Sequence, residues 1–432
     1  MWKSLALAAL VGTTSVLAAK CDVDSKCPKE TPCCSQYGEC GVGAYCLGGC
    51  NPRSSFSLDA CAPEPVCEDR ELKFDTDENI QSINKYLGDP SKADWVASGE
   101  PALHGDNVLL TMAKNSVGTV LSSTVYMWYG NAKARLKTSR GRGVVTAFIL
   151  FSDVQDEIDF EWIGVDLETV QTNYYNLGYL DYENSANITV SDSFANFHDY
   201  EVRWTPDQIE WLVDGEVGRT IKRVDTWNET AQRWDYPQTP ARVQLSLWPG
   251  GLASNAKGTI DWAGGEIDWD NAADMKDPGY YYATLESVSI ECYDGKNGLG
   301  TNSGKSYTYN DEAGTNKTVV DGDKSTILGS MSATGLDMDK GKKSGDDDLK
   351  SVPGGSTGNA GSSDDDDDDD SGSSDDNSGS SDSGTSEAPA GYDSSKFDQG
   401  LSDDSGDGNS GGGKSSASAL AMVIAGCALY WL

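Results

Sequence analysis

The seven residues Asp156-Glu157-Ile158-Asp159-Phe160-Glu161-Trp162 leave this chain few structural choices. At a period of two, Glu157, Asp159 and Glu161 fall on one face, and Ile158, Phe160 and Trp162 fall on the other. The pattern predicts a half-buried β-strand whose apolar side enters a core between two sheets. Its acidic side then meets solvent or a cleft. Three carboxylates in a row repel one another, so they lower stability unless one is protonated or otherwise engaged. Acidic residues are also poor strand formers. A local rule broken at such a cost suggests function. A merely solvated acidic strand face is the alternative.

The surrounding sequence, from about Glu68 to Asp294, also reads as strands. Val144 to Phe151 is β-branched and aromatic. Tyr200, Val202 and Trp204 alternate with Glu201 and Arg203, and Ile209 to Val213 runs into the hairpin signal Asp214-Gly215. Val243, Leu245 and Leu247 alternate with Gln244, Ser246 and Trp248. No long stretch holds a helical period. The expected fold class is all-β, a β-jelly-roll sandwich built from many short strands with glycine turns.

Composition narrows the partners. The chain has 432 residues, with Lys+Arg 33 against Asp+Glu 69 and a net charge of −36. Phosphate backbones are repelled by such a surface, so no nucleic-acid partner is expected. Its two histidines, His104 and His198, leave little room for a histidine zinc site or a histidine charge relay. No metal and no cofactor are expected. Twelve Trp and nineteen Tyr suit flat, uncharged ligands such as sugars.

The ends differ from the middle. Met1 to Ala19 reads as a secretory signal peptide, with Lys3 ahead of an apolar stretch and small residues at its end. Residues 344–409 form a Ser/Gly/Asp stalk containing the run Asp364 to Asp370. Such a segment buries too little apolar surface to order itself, and its like charges extend it. Residues 410–432 combine a polar spacer with an apolar tail too short to span a membrane. With small residues before it, this is the pattern of a glycolipid (GPI) anchor signal, and Asn409 is the expected attachment residue. A frayed apolar end is the alternative. The sequons at Asn187, Asn228 and Asn316 are candidate glycosylation sites.

Nine of the eleven cysteines lie between Cys21 and Cys67, and Cys427 lies in the tail expected to be removed. The remaining ten form an even number, as a secreted disulfide framework needs. Residues 20–67 are therefore expected to be a small disulfide-rich module, stapled rather than packed. Cys67 and Cys292 fall at the two edges of the strand-rich segment, residues 68–295, and are expected to pair and tie its ends together. Residues 296–343 are expected to be a variable extension.

Paired carboxylates are what glycosidic cleavage needs. On an extended strand the Cα atoms of Glu157 and Glu161 lie about 13 Å apart, and long side chains on a curved sheet can shorten that gap. Asp159 between them can hold the nucleophile and raise a neighbour's pKa.

The acidic stretch resembles the signature of glycoside hydrolase family sixteen. The resemblance continues through Phe197 to Pro206, Trp211 to Gly215, Ser246 to Gly251 and Gly258 to Gly265. The last two stretches are most similar to the fungal Crh-type wall transglycosylases. That resemblance implies a jelly roll with the acidic strand on its concave sheet. It also implies an enzyme that cuts chitin and joins the new end to β-glucan. Carried over, Glu157 is the nucleophile, Asp159 the assisting carboxylate and Glu161 the acid/base. Gln244, Trp248 and Thr259 are candidate sugar contacts, with packing roles as the alternative. Trp204, Trp262 and Trp269 are expected in the core rather than the cleft, with stacking on a sugar as the alternative for each.

Residues Cys33 to Cys50 resemble the hevein-type chitin-binding module. That resemblance places Ser35, Tyr37 and Tyr45 at sugar-binding positions. Glu39 stands where that family carries another aromatic. It also implies the pairs Cys21–Cys34, Cys27–Cys40 and Cys33–Cys46, leaving Cys50 with Cys61. A stapled cap without sugar binding is the alternative. The expected whole is a secreted, GPI-anchored monomeric wall enzyme with chitin and β-glucan as partners. A plain β-glucan or chitin hydrolase and a non-catalytic wall lectin are its rivals.

Overall fold

The structure is a computed structural model that describes residues 19–295, 298–342 and 352–354. All but the last residue of the expected signal peptide, most of the expected stalk, Asn409 and the expected anchor signal lie outside the described residues. Among the described residues, no helix is long and apolar enough to cross a membrane.

Two eight-stranded sheets pack face to face. One carries the order Glu216–Lys222, Gln208–Val213, His198–Trp204, Gly130–Lys137, Tyr280–Cys292, Asn107–Ala113 and Ala102–His104, with Arg70–Lys73 also on Tyr280–Cys292. The other carries Ala186–Thr189, Thr169–Tyr175, Glu157–Ile163, Val144–Ser152, Ala241–Pro249, Thr119–Ser123, Trp95–Ser98 and Ile80–Ser82. The pairing is antiparallel except between the last two. The sandwich expected from the strand patterns is the fold observed. Only two α-helices occur among the described residues, both short, Lys257–Trp262 and Ala273–Lys276.

The period-two reading of the acidic strand explains how it is held. Ile158, Phe160 and Trp162 enter the core between the sheets, beside Phe148, Leu150, Val243 and Leu245. Phe160 stacks between Phe148 (6.0 Å, 16°) and Trp162 (5.9 Å, 17°). Trp162 then meets Tyr200 of the facing sheet edge-on at 4.5 Å. Truncating one such buried aromatic costs about 3–5 kcal/mol, so the strand's inner side fixes where its acids stand. The Asp214-Gly215 hairpin forms as its residues require, with φ of +52° and +84° at the turn.

Disulfides join Cys21–Cys34, Cys27–Cys40, Cys33–Cys46, Cys50–Cys61 and Cys67–Cys292. These are the five pairs expected. The segment after the sandwich has a definite place. Ser306–Tyr309 pairs with Val319–Gly322 and with Glu64–Pro65 at the end of the module. Further on, Leu328 and Ala333 share an apolar cluster with Tyr45, Leu47, Tyr86 and Val96. Residues 306–342 thus clasp the module onto the sandwich.

Candidate active site

Strand register sets the site. On the outer face of the second sheet, Glu157 stands between Phe151 and Tyr175, Asp159 between Ile149 and Asn173, and Glu161 between Ala147 and Gln171. One strand further on, Arg242, Gln244 and Ser246 continue the same three rows. All three acids therefore share one face, as the alternation requires.

That face is recessed. Asp159 is only 1% exposed and Glu157 9%, while Glu161 is half-buried. Burial is the main reason that all three carboxyls are harder to ionise than usual. Asp159 is pushed up to about 7, against the pull of the Asn173 backbone and the Arg219 guanidinium. Glu157 and Glu161 are held well above the ordinary carboxylate range, by burial first and then by the charge of Asp159. Glu161 also feels Glu157. Asp159 Oδ1 and Glu161 Oε1 are buried without a hydrogen-bond partner. Buried, hard-to-ionise carboxyls gathered on one face make this row the candidate catalytic site.

Asp156 has a different task. Its Oδ1 accepts from the Asn176 side-chain amide (2.8 Å) and the Leu177 N–H (2.9 Å). Its Oδ2 accepts from the N–H groups of Gln238 and Thr239 and from the Thr239 hydroxyl. The first acid of the sequence motif ties two loops to the strand's start.

The candidate sugar contacts are placed less simply. Gln244 is buried, and its amide donates to Gln36 Oε1 at 3.0 Å. Trp248 is buried beneath Trp262, with ring centroids 6.0 Å apart and planes at 24°. Thr259 is buried on the helix Lys257–Trp262. The Trp248 Nε1, Thr259 Oγ1 and Ser246 Oγ atoms lack partners.

Trp262, expected in the core, instead covers Trp248 at the rim. It is half-buried, and its Nε1 donates to Gln171 (2.9 Å), the neighbour of Glu161. A helical reading of residues 257–262 finds it, because Thr259 and Trp262 at i and i+3 share a helix face. Arg242 was also legible, since positions 242, 244, 246 and 248 alternate on one strand.

The disulfide module corrects an expectation. Ser35, Tyr37 and Tyr45 are 4%, 7% and 4% exposed, so they form no open platform for a sugar. Tyr45 packs under Gly41 and joins the cluster facing Tyr86 and Leu328. Ser35 Oγ accepts from the Tyr37 N–H (3.3 Å). The face that would stack sugar is the face that docks on the sandwich.

Of the three sequons, Asn187 is exposed on the edge strand Ala186–Thr189, in the row of Glu161 and Gln171. Asn228 is half-buried, with Nδ2 donating to Asp235 (2.7 Å). Asn316 is half-buried beside the Tyr129 hydroxyl.

A β-sandwich with three hard-to-ionise carboxyls along one recessed strand face is an enzyme of glycosidic bonds. Residues 90–264 match the family described as Glycosyl hydrolases family 16. The chain is 63% identical over 336 residues to Crh-like protein 3 of Botryotinia fuckeliana, covering 78% of this chain and 76% of that one. It is 47% identical over 328 residues to Congo red hypersensitive protein 2 of Saccharomyces cerevisiae, covering 75% and 70%. A solved structure described as apo Crh5 transglycosylase is 30% identical with a TM-score of 0.50, covering 63% of this chain and 99% of that one. The same transglycosylase has been solved in complex with NAG, also at 30% identity and a TM-score of 0.50, covering 62% of this chain and 98% of that one. The chain belongs to the Crh-like proteins of glycosyl hydrolase family 16.

Proposed function

We propose that this chain is a retaining transglycosylase of the fungal cell wall that cuts chitin and joins the new end to β-glucan. The observation that carries the reading is the row Glu157, Asp159, Glu161 on one recessed face, with Asp159 and Glu161 oxygens left unpaired. Likeness to the Crh5 transglycosylase and to its complex with NAG supports the substrate class.

Glu157 is the nucleophile and enters the reaction ionised. A carboxylate oxygen attacks the anomeric carbon while the glycosidic oxygen leaves with the proton of Glu161. Glu157 becomes an ester and loses its charge; Glu161 loses its proton to the leaving oxygen and becomes a negatively charged carboxylate. The negative charge moves along the strand without growing. A recess that disfavours a second charge therefore suits this step. Asp159 sits between the two and is neutral in part near pH 7, so it can donate to Glu157 or hold it in place. In the second half, Glu161 takes the proton of a glucan hydroxyl, and that oxygen displaces Glu157. The anomeric configuration is retained.

Water competes with the glucan, and the outcome depends on how well the acceptor displaces it. The chain reaches the wall by secretion. The pattern before the C-terminus supports a glycolipid link at Asn409, and the sequons support glycans on Asn187, Asn228 and Asn316. Incubation with chitin oligomers and a fluorescent glucan oligomer tests the reading. A labelled chitin–glucan hybrid is expected. Shortened chitin with no labelled hybrid would make the protein a hydrolase.

A further inference from the structure

The outer face that carries the acids does not run open from edge to edge. Gln36 of the disulfide module stands over it. Its Oε1 accepts from Gln244 Nε2 (3.0 Å) and Arg242 Nη2 (3.1 Å), neighbours on the strand Ala241–Pro249. The same side chain is hydrogen-bonded to the Tyr37 hydroxyl. All four residues are buried.

The backbone behind Gln36 is fitted to this place. A Cβ on Gly48 would lie 2.3 Å from Arg242 Nη1, and one on Gly49 would lie 2.6 Å from Gln36 Oε1. The Gly49 N–H donates to the buried Asp153 carboxylate (2.8 Å), which also accepts from the Tyr126 hydroxyl (2.7 Å). From the opposite side, Gly43 N–H donates to Ala333 O (2.9 Å), and Gly335 N–H donates to Ala60 O (2.8 Å). The module is gripped by the sandwich and by the clasp, and it does not hang from a tether.

We propose that Gln36 is a specificity-determining residue that ends the substrate groove on the side of the strand Ala241–Pro249. This deepens the glycan-cutting reading given above and rests on it. Asp159, Ile149 and Gln244 lie in one row across three strands. Two strand spacings, roughly 10 Å, separate Asp159 from Gln244. A glycan laid across the strands from the acids meets Gln36 at that distance. Among the described residues no side chain of the protein builds such a wall on the other side, where the row of Glu161 passes half-buried Gln171 to exposed Asn187. The groove is closed at one end and open at the other. The number of sugars bound between the acids and Gln36 is therefore fixed and small, and the number on the Asn187 side is not.

The test uses the full secreted chain with chitin oligomers of increasing length and mass spectrometry of the products. In the native protein, one of the two fragments from each cut is expected within a narrow range of lengths. Gln36→Ala removes the wall. It is expected to lengthen that fragment by at least one sugar and to raise kcat/KM for the longest donors about tenfold relative to the shortest. Gln36→Glu keeps the shape and pairs with Arg242, so it should retain native fragment lengths. Gln36→Ser provides the same opening if the alanine variant does not fold. Native fragment lengths in a folded alanine or serine variant would overturn the proposal. If the native chain cuts no chitin oligomer at all, the functional reading fails instead, which is a separate result.

Discussion

Asp156 and Thr239 are joined twice: Asp156 Oδ2 accepts the Thr239 N–H at 3.1 Å and the Thr239 hydroxyl at 2.7 Å. Three further donors reach the same buried carboxylate. Removing it leaves them facing a void. Asp156→Ala is therefore expected to cost about 3 kcal/mol, measured by thermal or urea unfolding. An unfolding curve that matches the native chain would show that the loops are held by other contacts.

Two other acids of the motif, Glu157 and Glu161, should behave in the opposite way. The pKa values of Glu157 and Glu161 are raised on folding, mainly by burial. Such groups leave stability intact at low pH and lower it as pH rises through and beyond the unfolded value of about 4.3. A neutral amide escapes that penalty. Glu157→Gln and Glu161→Gln are expected to unfold roughly 2–4 °C above the native chain near pH 8. The gain should vanish below about pH 3.5, where the native carboxyls are protonated in both states. A gain that is constant with pH would point to packing rather than charge.

Asp159 tunes its neighbours by charge. Its ionised form raises Glu161, the group that must hold a proton for the first step. Asp159→Asn removes that repulsion, so Glu161 should give up its proton at lower pH. The alkaline limb of the kcat/KM profile is expected to move to lower pH, and the rate at its optimum should fall about 10²–10⁴-fold. An unmoved limb would detach Asp159 from the titration of the acid.

Trp262 covers Trp248 and donates to Gln171 beside Glu161. Half-buried at the rim, it is placed to stack on a sugar and contributes less to the core than Trp248 does. Trp262→Ala is expected to lower kcat/KM for chitin oligomers about tenfold or more while the unfolding temperature changes little. Trp248→Ala should unfold the protein earlier.

The bridges differ in the loops they close. Cys67–Cys292 spans 225 residues and Cys50–Cys61 spans 11. By loop entropy, opening the first costs up to about 5 kcal/mol and opening the second up to about 3 kcal/mol. The double variant Cys67→Ser with Cys292→Ser is expected to unfold at lower denaturant than Cys50→Ser with Cys61→Ser. The reverse order would mean that the module's docking dominates.

Much of this is legible in the sequence because period-two alternation is set by local geometry. Glu157, Asp159 and Glu161 had to face away from Ile158, Phe160 and Trp162, and the apolar side had to be inward. The Asp214-Gly215 hairpin was equally local. Three things were not. Burial of Ser35, Tyr37 and Tyr45 depends on which face of the module docks, and docking is decided by residues more than 200 positions away, such as Arg242. Trp262 was misplaced because residues 257–262 form a single helical turn and a half, too short for a period to stand out. The clasp around residues 306–342 was unreadable because its stability comes from pairing with Glu64–Pro65 and packing on the module.

Covalent trapping at Glu157 addresses the catalytic assignment most directly. The variant Glu161→Gln is given a chitin oligosaccharide with fluoride at the anomeric carbon, a leaving group that needs no proton from Glu161. The expected result is an enzyme heavier by one glycosyl chain, with the added mass on the peptide holding Glu157 and absent from Glu157→Gln. Donor consumed with no adduct, or an adduct mapped to another residue, would contradict the assignment of the nucleophile.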